Sequence, residues 1–288
     1  MNDLMTNIKN LREITGAGFL DCKKALEENN NNLDTSVVFL RKKGLAKANK
    51  KSSREAKEGA VGIFHDKFLT TIIQINTETD FAAKNEVFLD FMDEIGTFSL
   101  LANNPNLSLD QFNNMYFEER LISDRFKDII SKIGENIVLT KLIFIENNED
   151  TIISSYIHNT YRKNIGKIAV TLKAKIQKIN KESELLCKNL CMHIAASKPL
   201  AMKIDLLDKK IIEKEKEVLI ENIKSSGKPD NIVEKILEGK MKKFYSESIF
   251  LNQHYILDTD KTIEQILFNF SKNNKLDIID YNLVVLGS

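Results

Sequence analysis

Hydrophobic positions recur along the chain with two periods, helical and alternating, and the switches between them mark its divisions. Leu4, Ile8, Leu11 and Ile14 share one helical face that runs into Thr15-Gly16-Ala17-Gly18, where glycines can end a helix and turn the chain. Phe19, Cys22, Ala25 and Leu26 form the inner face of a second helix. The Asn29 to Asn32 run breaks it, and Asp34 is placed to cap a third helix carrying Val37, Val38 and Leu40. Residues 1–50 therefore read as a compact three-helix unit. From Lys47 to Lys57 the hydrophobic pattern stops, and 51–58 reads as a basic linker. Val61 to His65 and Phe68 to Asn76 are strand-like runs separated only by Asp66-Lys67, which suits a tight hairpin. A polar turn, Thr79 to Glu86, then opens a helix whose stripe is Phe88, Phe91, Met92, Ile95 and Phe98. Asp80 is the expected cap and Phe81 the first helical residue. Phe81 lies seven residues before Phe88, in phase with the stripe, so spacing leaves two readings open: a core ring or an exposed tip.

Asn103-Asn104-Pro105 ends that helix, an Asn-rich surface excursion runs to about Tyr116, and another helix is expected from Phe117 to Ile133. Strand-like runs follow at Ile137 to Glu146, Ile152 to His158 and Ile165 to Ile176. A helix with Leu186, Cys187, Leu190, Cys191 and Ile194 on its inner side closes the block. Hairpin and then helix thus occur twice, around 60–101 and 152–197, with His65 and His158 each ending a first strand. Asp208 to Ser226 and Pro229 to Phe244 are helical in pattern, and Ser225 to Pro229 supplies a glycine stop and a proline start. Ile212, Leu219 and Ile223 can face Ile232, Val233 and Ile236 along a narrow stripe, as in an antiparallel coiled-coil hairpin. Ile249 to Leu257, a helix from Thr262 to Phe270 and a last strand from Leu276 to Leu286 return the chain to the core. The fold class expected is α+β with small antiparallel sheets. Its core halves span 59–140 and 141–203 with 245–288, and the hairpin is an insertion at 204–244.

Composition narrows the chemistry. With 288 residues, 42% of them hydrophobic, the chain can bury a substantial core, and 42 basic against 41 acidic residues give no global drive toward nucleic acid or an anionic membrane. Lys50, Lys51 and Arg54 lack interleaved aromatics on which bases could stack. Three cysteines suit reduced thiols, the N-terminus lacks an apolar signal core, and no run of 18 or more apolar residues occurs, so a cytoplasmic location is expected. Cys187, Cys191 and His193 resemble metal ligands in spacing, but no second pair completes a site, and neither metal nor cofactor is expected. Gly16-x-Gly18 follows no strand, and no GxxxxGK[ST] occurs, so the chain is not expected to bind a nucleotide itself. Adjacent acids such as Asp93-Glu94 cannot face one another on a helix, and nothing signals an enzyme's active site.

Thr79-Asp80-Phe81-Ala82-Ala83-Lys84-Asn85-Glu86-Val87-Phe88 closely resembles the signature of bacterial translation elongation factor Ts, the nucleotide-exchange family that acts on elongation factor Tu. Five further stretches agree in order: Thr15 to Leu26, Lys132 to Ile137, Ser155 to His158, His193 to Pro199, and Gly239 to Phe244. The resemblance implies a tip, Thr79, Asp80, Phe81 and Ala82, pushed into the partner's GTPase domain beside its Mg²⁺ so that GDP leaves and GTP replaces it. It also implies partner contacts at Lys23, Asn85, His158, Gly239 and Met241, with Lys23 on a unit that resembles ubiquitin-associated domains. The sole expected partner is elongation factor Tu, with no direct nucleic acid and no membrane. The chain stops at Leu286-Gly287-Ser288, near where several family members continue into a final helical module. The competing reading is a non-catalytic adaptor that uses the three-helix unit and keeps the core as scaffold.

Overall fold

The computed structural model describes residues 2–51, 53–225 and 230–287. The chain forms two compact units, one of Met1–Glu146, Ile157–Ile168 and Val284–Ser288, the other of Asn147–Tyr156 and Ala169–Leu283. Helices and small sheets mix in both, which makes the fold α+β.

The first unit begins with α1 (Asn2–Thr15), α2 (Phe19–Glu28) and α3 (Leu33–Lys51). Ile8, Leu11, Cys22, Ala25, Leu26 and Leu40 form their common core. Ile14, Phe19 and Val38, expected on inner faces, are instead exposed, because three short helices enclose only one narrow stripe each and the margins stay in water. Asn32, not Asp34, caps α3: its Oδ1 accepts from the Thr35 N–H at 3.0 Å, and Asp34 falls in the first helical turn, where its charge suits the helix dipole. The basic run begins as the end of α3. That helix passes close to α7 (Ile122–Ile133), where a methyl on Gly44 would lie 2.6 Å from Ser131 Oγ.

A hairpin of β1 (Glu58–His65) and β2 (Leu69–Thr77) follows, paired from Glu58–Thr77 to His65–Thr70. Its turn is held by Asp66, whose carboxylate accepts from the Phe68 and Leu69 N–H groups, both at 2.7 Å. After α4 (Asp80–Ala83) comes α5 (Glu86–Leu101), which buries Phe88, Phe91, Met92, Ile95 and Phe98 as its stripe predicts. Gly96 permits its close approach to the hairpin, since a Cβ there would sit 2.3 Å from the Phe64 ring. The Asn-rich excursion contains α6 (Leu109–Asn113), opened by a Ser108–Gln111 capping box and anchored by the fully buried Phe112. The helix expected from Phe117 starts later, at Ile122, because Glu118 and Glu119 take positive φ and fold β3 (Tyr116–Phe117) onto β4 (Arg120–Leu121). Then β5 (Ile137–Glu146) pairs with β2. After β6 (Thr151–His158), the short β7 (Ile165–Gly166) pairs with β1, giving the order β5-β2-β1-β7. β2 lies inside this sheet, and every one of its residues is buried.

The second unit carries the three-stranded sheet β11-β8-β6, with β8 at Ile168–Ile176 and β11 at Leu276–Val285. In α8 (Lys181–Ser197), Cys187, Leu190, Cys191 and Ile194 are buried as their spacing predicts, and burial pushes the Cys187 and Cys191 thiols up to about 11 and about 12. His193 is also buried. Its Nε2 is 2.9 Å from Gln253 Oε1 and its Nδ1 accepts from the Ile256 N–H, which fixes a neutral ring with the proton on Nε2. Helices α9 (Lys209–Ser225) and α10 (Asp230–Ser248) pack on each other. The glycine–proline turn expected at 226–229 and the side chain of Ile232 lie outside the described residues. β9 (His254–Tyr255), β10 (Asp258–Thr262) and α11 (Ile263–Ser271) complete the unit, the last opened by a Thr262–Gln265 capping box. Among the described residues no helix is long and apolar enough to cross a membrane.

Candidate functional site

The β2–β5 ladder ends at the pair Thr77–Ile137, and both chains then turn away from it. Immediately beyond, two carboxylates cross between them in opposite directions. Glu78 Oε1 accepts from the Asn136 N–H at 2.6 Å. Glu135 accepts twice from Thr79, at 2.9 Å from its N–H and 2.7 Å from its hydroxyl. Asn136 Nδ2 donates to the Arg54 carbonyl at 2.7 Å, Arg54 pairs loosely with Glu78, and Lys51 donates to the Gly134 carbonyl. Gly134 sits at the end of α7 with φ 88°, a left-handed turn that suits a residue without Cβ.

Thr79 then opens α4. Its hydroxyl accepts from the Ala82 N–H at 3.2 Å, so Thr79 is the cap and Asp80 the first helical residue, contrary to the sequence expectation. The Asp80 carboxylate turns instead to Lys84, 2.8 Å away, one helical turn on. That hydrogen bond holds the Asp80 carboxyl below the usual carboxylate range and the Lys84 ammonium above its ordinary value.

The helix does not continue into α5. It stops at Ala83, and Asn85 starts a new helix by accepting from the Val87 N–H at 2.9 Å. This break removes Phe81 from the phase of the Phe88 stripe. Ala82 and Ala83 are buried beneath the turn, while the Phe81 ring projects from it, 83% exposed. Of the two readings left open by spacing, the core ring is excluded.

A second brace holds α5. Arg162, in the loop after β6, pairs Nη1 with Asp90 and Asp93 at 2.8 Å each and Nη2 with Glu86. These three acids recur at helical spacing on one face of α5, and their hydrogen bonds, Asp93 first, raise the Arg162 pKa. Beside it, Tyr161 lies under the Lys84 ammonium, 6.0 Å from ring centroid to Nζ.

The structure brings Thr79, Asp80, Phe81, Ala82 and Asn85 together at this junction. Lys23 lies on the exposed face of α2, with Glu27 at 3.7 Å, and His158 is exposed at the end of β6. Gly239 and Met241 belong to α10 in the other unit. Gly239 has open space where a side chain would stand, whereas Met241 is only 5% exposed. Glu78, Glu135 and Arg162 were not foreseen. Glu135 lay within a stretch matched to the family, but its partner is 56 residues away, and Arg162 carries no local signal.

Comparison with known proteins gives a consistent result. The family model described as Elongation factor TS matches residues 78–288. The chain is 36% identical over 275 residues to Elongation factor Ts of Bartonella henselae, covering 95% of this chain and 88% of that protein. It is 36% identical over 266 residues to Elongation factor Ts of Rhizobium meliloti, covering 92% and 86%. Against Elongation factor Ts of Sinorhizobium fredii the figure is 38% over 257 residues, covering 89% and 83%.

Proposed function

The chain belongs to the elongation factor Ts family, a family of translation elongation factors, and from that premise we propose that it is the guanine-nucleotide exchange factor of elongation factor Tu. The observation that carries this reading is the large apolar ring of Phe81, held outside the core on a short, capped turn. A ring fixed in that way loses little conformational freedom when it enters a pocket, so its burial goes into the complex rather than into ordering a loop. Asp80 and Phe81 enter beside the Mg²⁺ of the GDP-bound partner, while the Thr79 cap and the buried Ala82, expected in the same contact, shape the turn beneath them. There Asp80 and Phe81 displace the cation's surroundings and weaken the hold of cation and backbone amides on the diphosphate. No bond is made or broken by this chain; it acts by differential binding.

Linkage makes the effect mutual. If docking weakens GDP binding ~10⁴-fold, GDP weakens docking by the same factor, about 5.5 kcal/mol, and an incoming nucleotide expels the factor. One ring cannot supply that coupling, and a wide interface is required. Lys23 on α2, Asn85, His158 and Gly239 are its further contacts. Met241, expected among these contacts, is buried and is left out of them. The exposed Leu20, one helical turn before Lys23 on α2, supports counting the three-helix unit as part of this docking surface. The site of action is the cytoplasm.

Stopped-flow release of a labelled GDP from elongation factor Tu, with and without the full chain, tests the reading. Acceleration that saturates with protein concentration is expected. Release at the unassisted rate at every concentration would remove the proposal.

A further inference from the structure

The tip is a single helical turn of four residues, too short to hold its own shape, since helix nucleation is unfavourable and one turn closes few internal bonds. Something outside it must set its orientation. Its C-terminal side is secured by Asn85 and α5. On its N-terminal side one carboxylate, that of Glu135, accepts from both the Thr79 N–H and the Thr79 hydroxyl. We propose that Glu135 is a positioning residue for exchange: it fixes the Thr79 cap and, through it, the direction in which Phe81 enters the partner.

The chemistry is specific to a carboxylate with two acceptor oxygens. One oxygen takes the Thr79 N–H, which precedes the helix and has no partner within it. The other takes the hydroxyl proton, and this orients the remaining lone pairs of Thr79 Oγ1 toward the Ala82 N–H, 3.2 Å away. The cap is therefore aligned as well as supplied. The reverse crossing, from Glu78 to the Asn136 N–H, ties the base of the Glu135 loop to the strand it supports, so neither segment can shift without the other. Glu135 itself is half-buried behind the tip, while Phe81 faces outward. It is thus placed to act through Thr79 rather than by touching the partner.

This inference rests on the exchange reading above, and its test separates the two. GDP release from elongation factor Tu is followed against concentration for the full chain, Glu135→Ala, Phe81→Ala and the double variant, with folded fraction checked by circular dichroism. In Glu135→Ala the saturating release rate should fall about tenfold, the scale of a lost charge-assisted hydrogen bond and cap, while the half-saturating concentration changes less than about twofold. In the Phe81→Ala background the same change should cost nothing further. From the other side of the contact, Thr79→Val should reproduce the loss and Thr79→Ser should restore the rate; this pair decides the matter if Glu135→Ala does not fold. Amide exchange over residues 79–83 should quicken in Glu135→Ala and Thr79→Val, with β1 and β2 unaffected.

An unchanged saturating rate in folded Glu135→Ala, a loss confined to half-saturation, or an equal loss in the Phe81→Ala background would each overturn the positioning role and leave the exchange reading intact. Release unaffected by Phe81→Ala would instead sink the wedge, and unaltered amide exchange over 79–83 would then sink the brace as well.

Discussion

Phe81 and His193 show how little a residue's type says about its place until its backbone is known. Phe81 is an aromatic side chain outside the core, so Phe81→Ala should change stability by no more than ~0.5 kcal/mol, against the ~3–5 kcal/mol that truncating a core phenylalanine costs. Its effect should appear in exchange. Truncating an interface aromatic commonly costs at least ~2 kcal/mol, about 30-fold, so GDP release should slow by that order while the thermal midpoint, read on the same sample, holds. His193 is the inverse, a polar ring buried at the centre of the second unit between Gln253 and the Ile256 amide, with Phe250 and Tyr255 against it. Burial lowers its pKa. The unfolded chain then binds the proton more readily than the folded one, so stability is intact above the unfolded value of about 6.5 and falls as pH drops below it. Thermal midpoints at pH 7.5 and 5.5 should differ, and the part of that difference due to this ring should vanish in His193→Gln.

At the scale of elements, the feature that matters most is an interruption. α4 and α5 would form one helix if Asn85 kept helical geometry instead of an extended backbone, and the seven-residue spacing would then put Phe81 on the Phe88 face. Asn85 prevents this by capping α5, so Asn85→Ala should cost about 1 kcal/mol, a fall of about 2–4 °C in the thermal midpoint, and Asn85→Asp, an equally good cap, should recover it. The β1–β2 hairpin, the α5 stripe and the buried face of α8 were legible in the sequence because each has a strong period and a local stop. The break at Lys84–Asn85 was not, because Ala83-Lys84-Asn85 holds no glycine or proline and the spacing of Phe81 to Phe88 fits an unbroken helix. Asp80 looked like the cap for a related reason. Thr79 and Asp80 are both good caps, and what separates them lies outside the pair: Thr79 donates its hydroxyl to the distant Glu135, and the Asp80 carboxylate is taken by Lys84. The β3–β4 hairpin was missed because two glutamates in the left-handed region are not a sequence signal for a turn.

Across the whole molecule, the reading of a three-helix unit joined by a polar linker meets a more extensive contact, since α3 runs to Lys51 and lies against α7 at Gly44 and Ser131. Deleting residues 1–50 should therefore weaken docking and also uncover one face of α7, lowering the thermal midpoint of what remains. Lys23→Ala separates the two effects. Its ion pair with Glu27 is solvent-exposed and worth at most a few tenths of a kcal/mol, so stability should not change, while affinity for elongation factor Tu, read by titration, should fall. An affinity unaltered in Lys23→Ala would take Lys23 out of the interface.

The crossing of carboxylates behind the tip also has a consequence in time. It joins chain segments that are 56, 58, 82 and 83 residues apart: Thr79 with Glu135, Glu78 with Asn136, Arg54 with Asn136, and Lys51 with Gly134. Contacts across such long loops form only after much chain entropy has been lost, and here they require the hairpin, α3, α7 and β5 to be in place first. The turn that carries Phe81 is thus among the last parts of its unit to take shape during folding. On the exchange role proposed above, a chain stalled partway through folding would carry the ring without its direction, and its acceleration of GDP release should lag behind the recovery of helical circular dichroism during refolding.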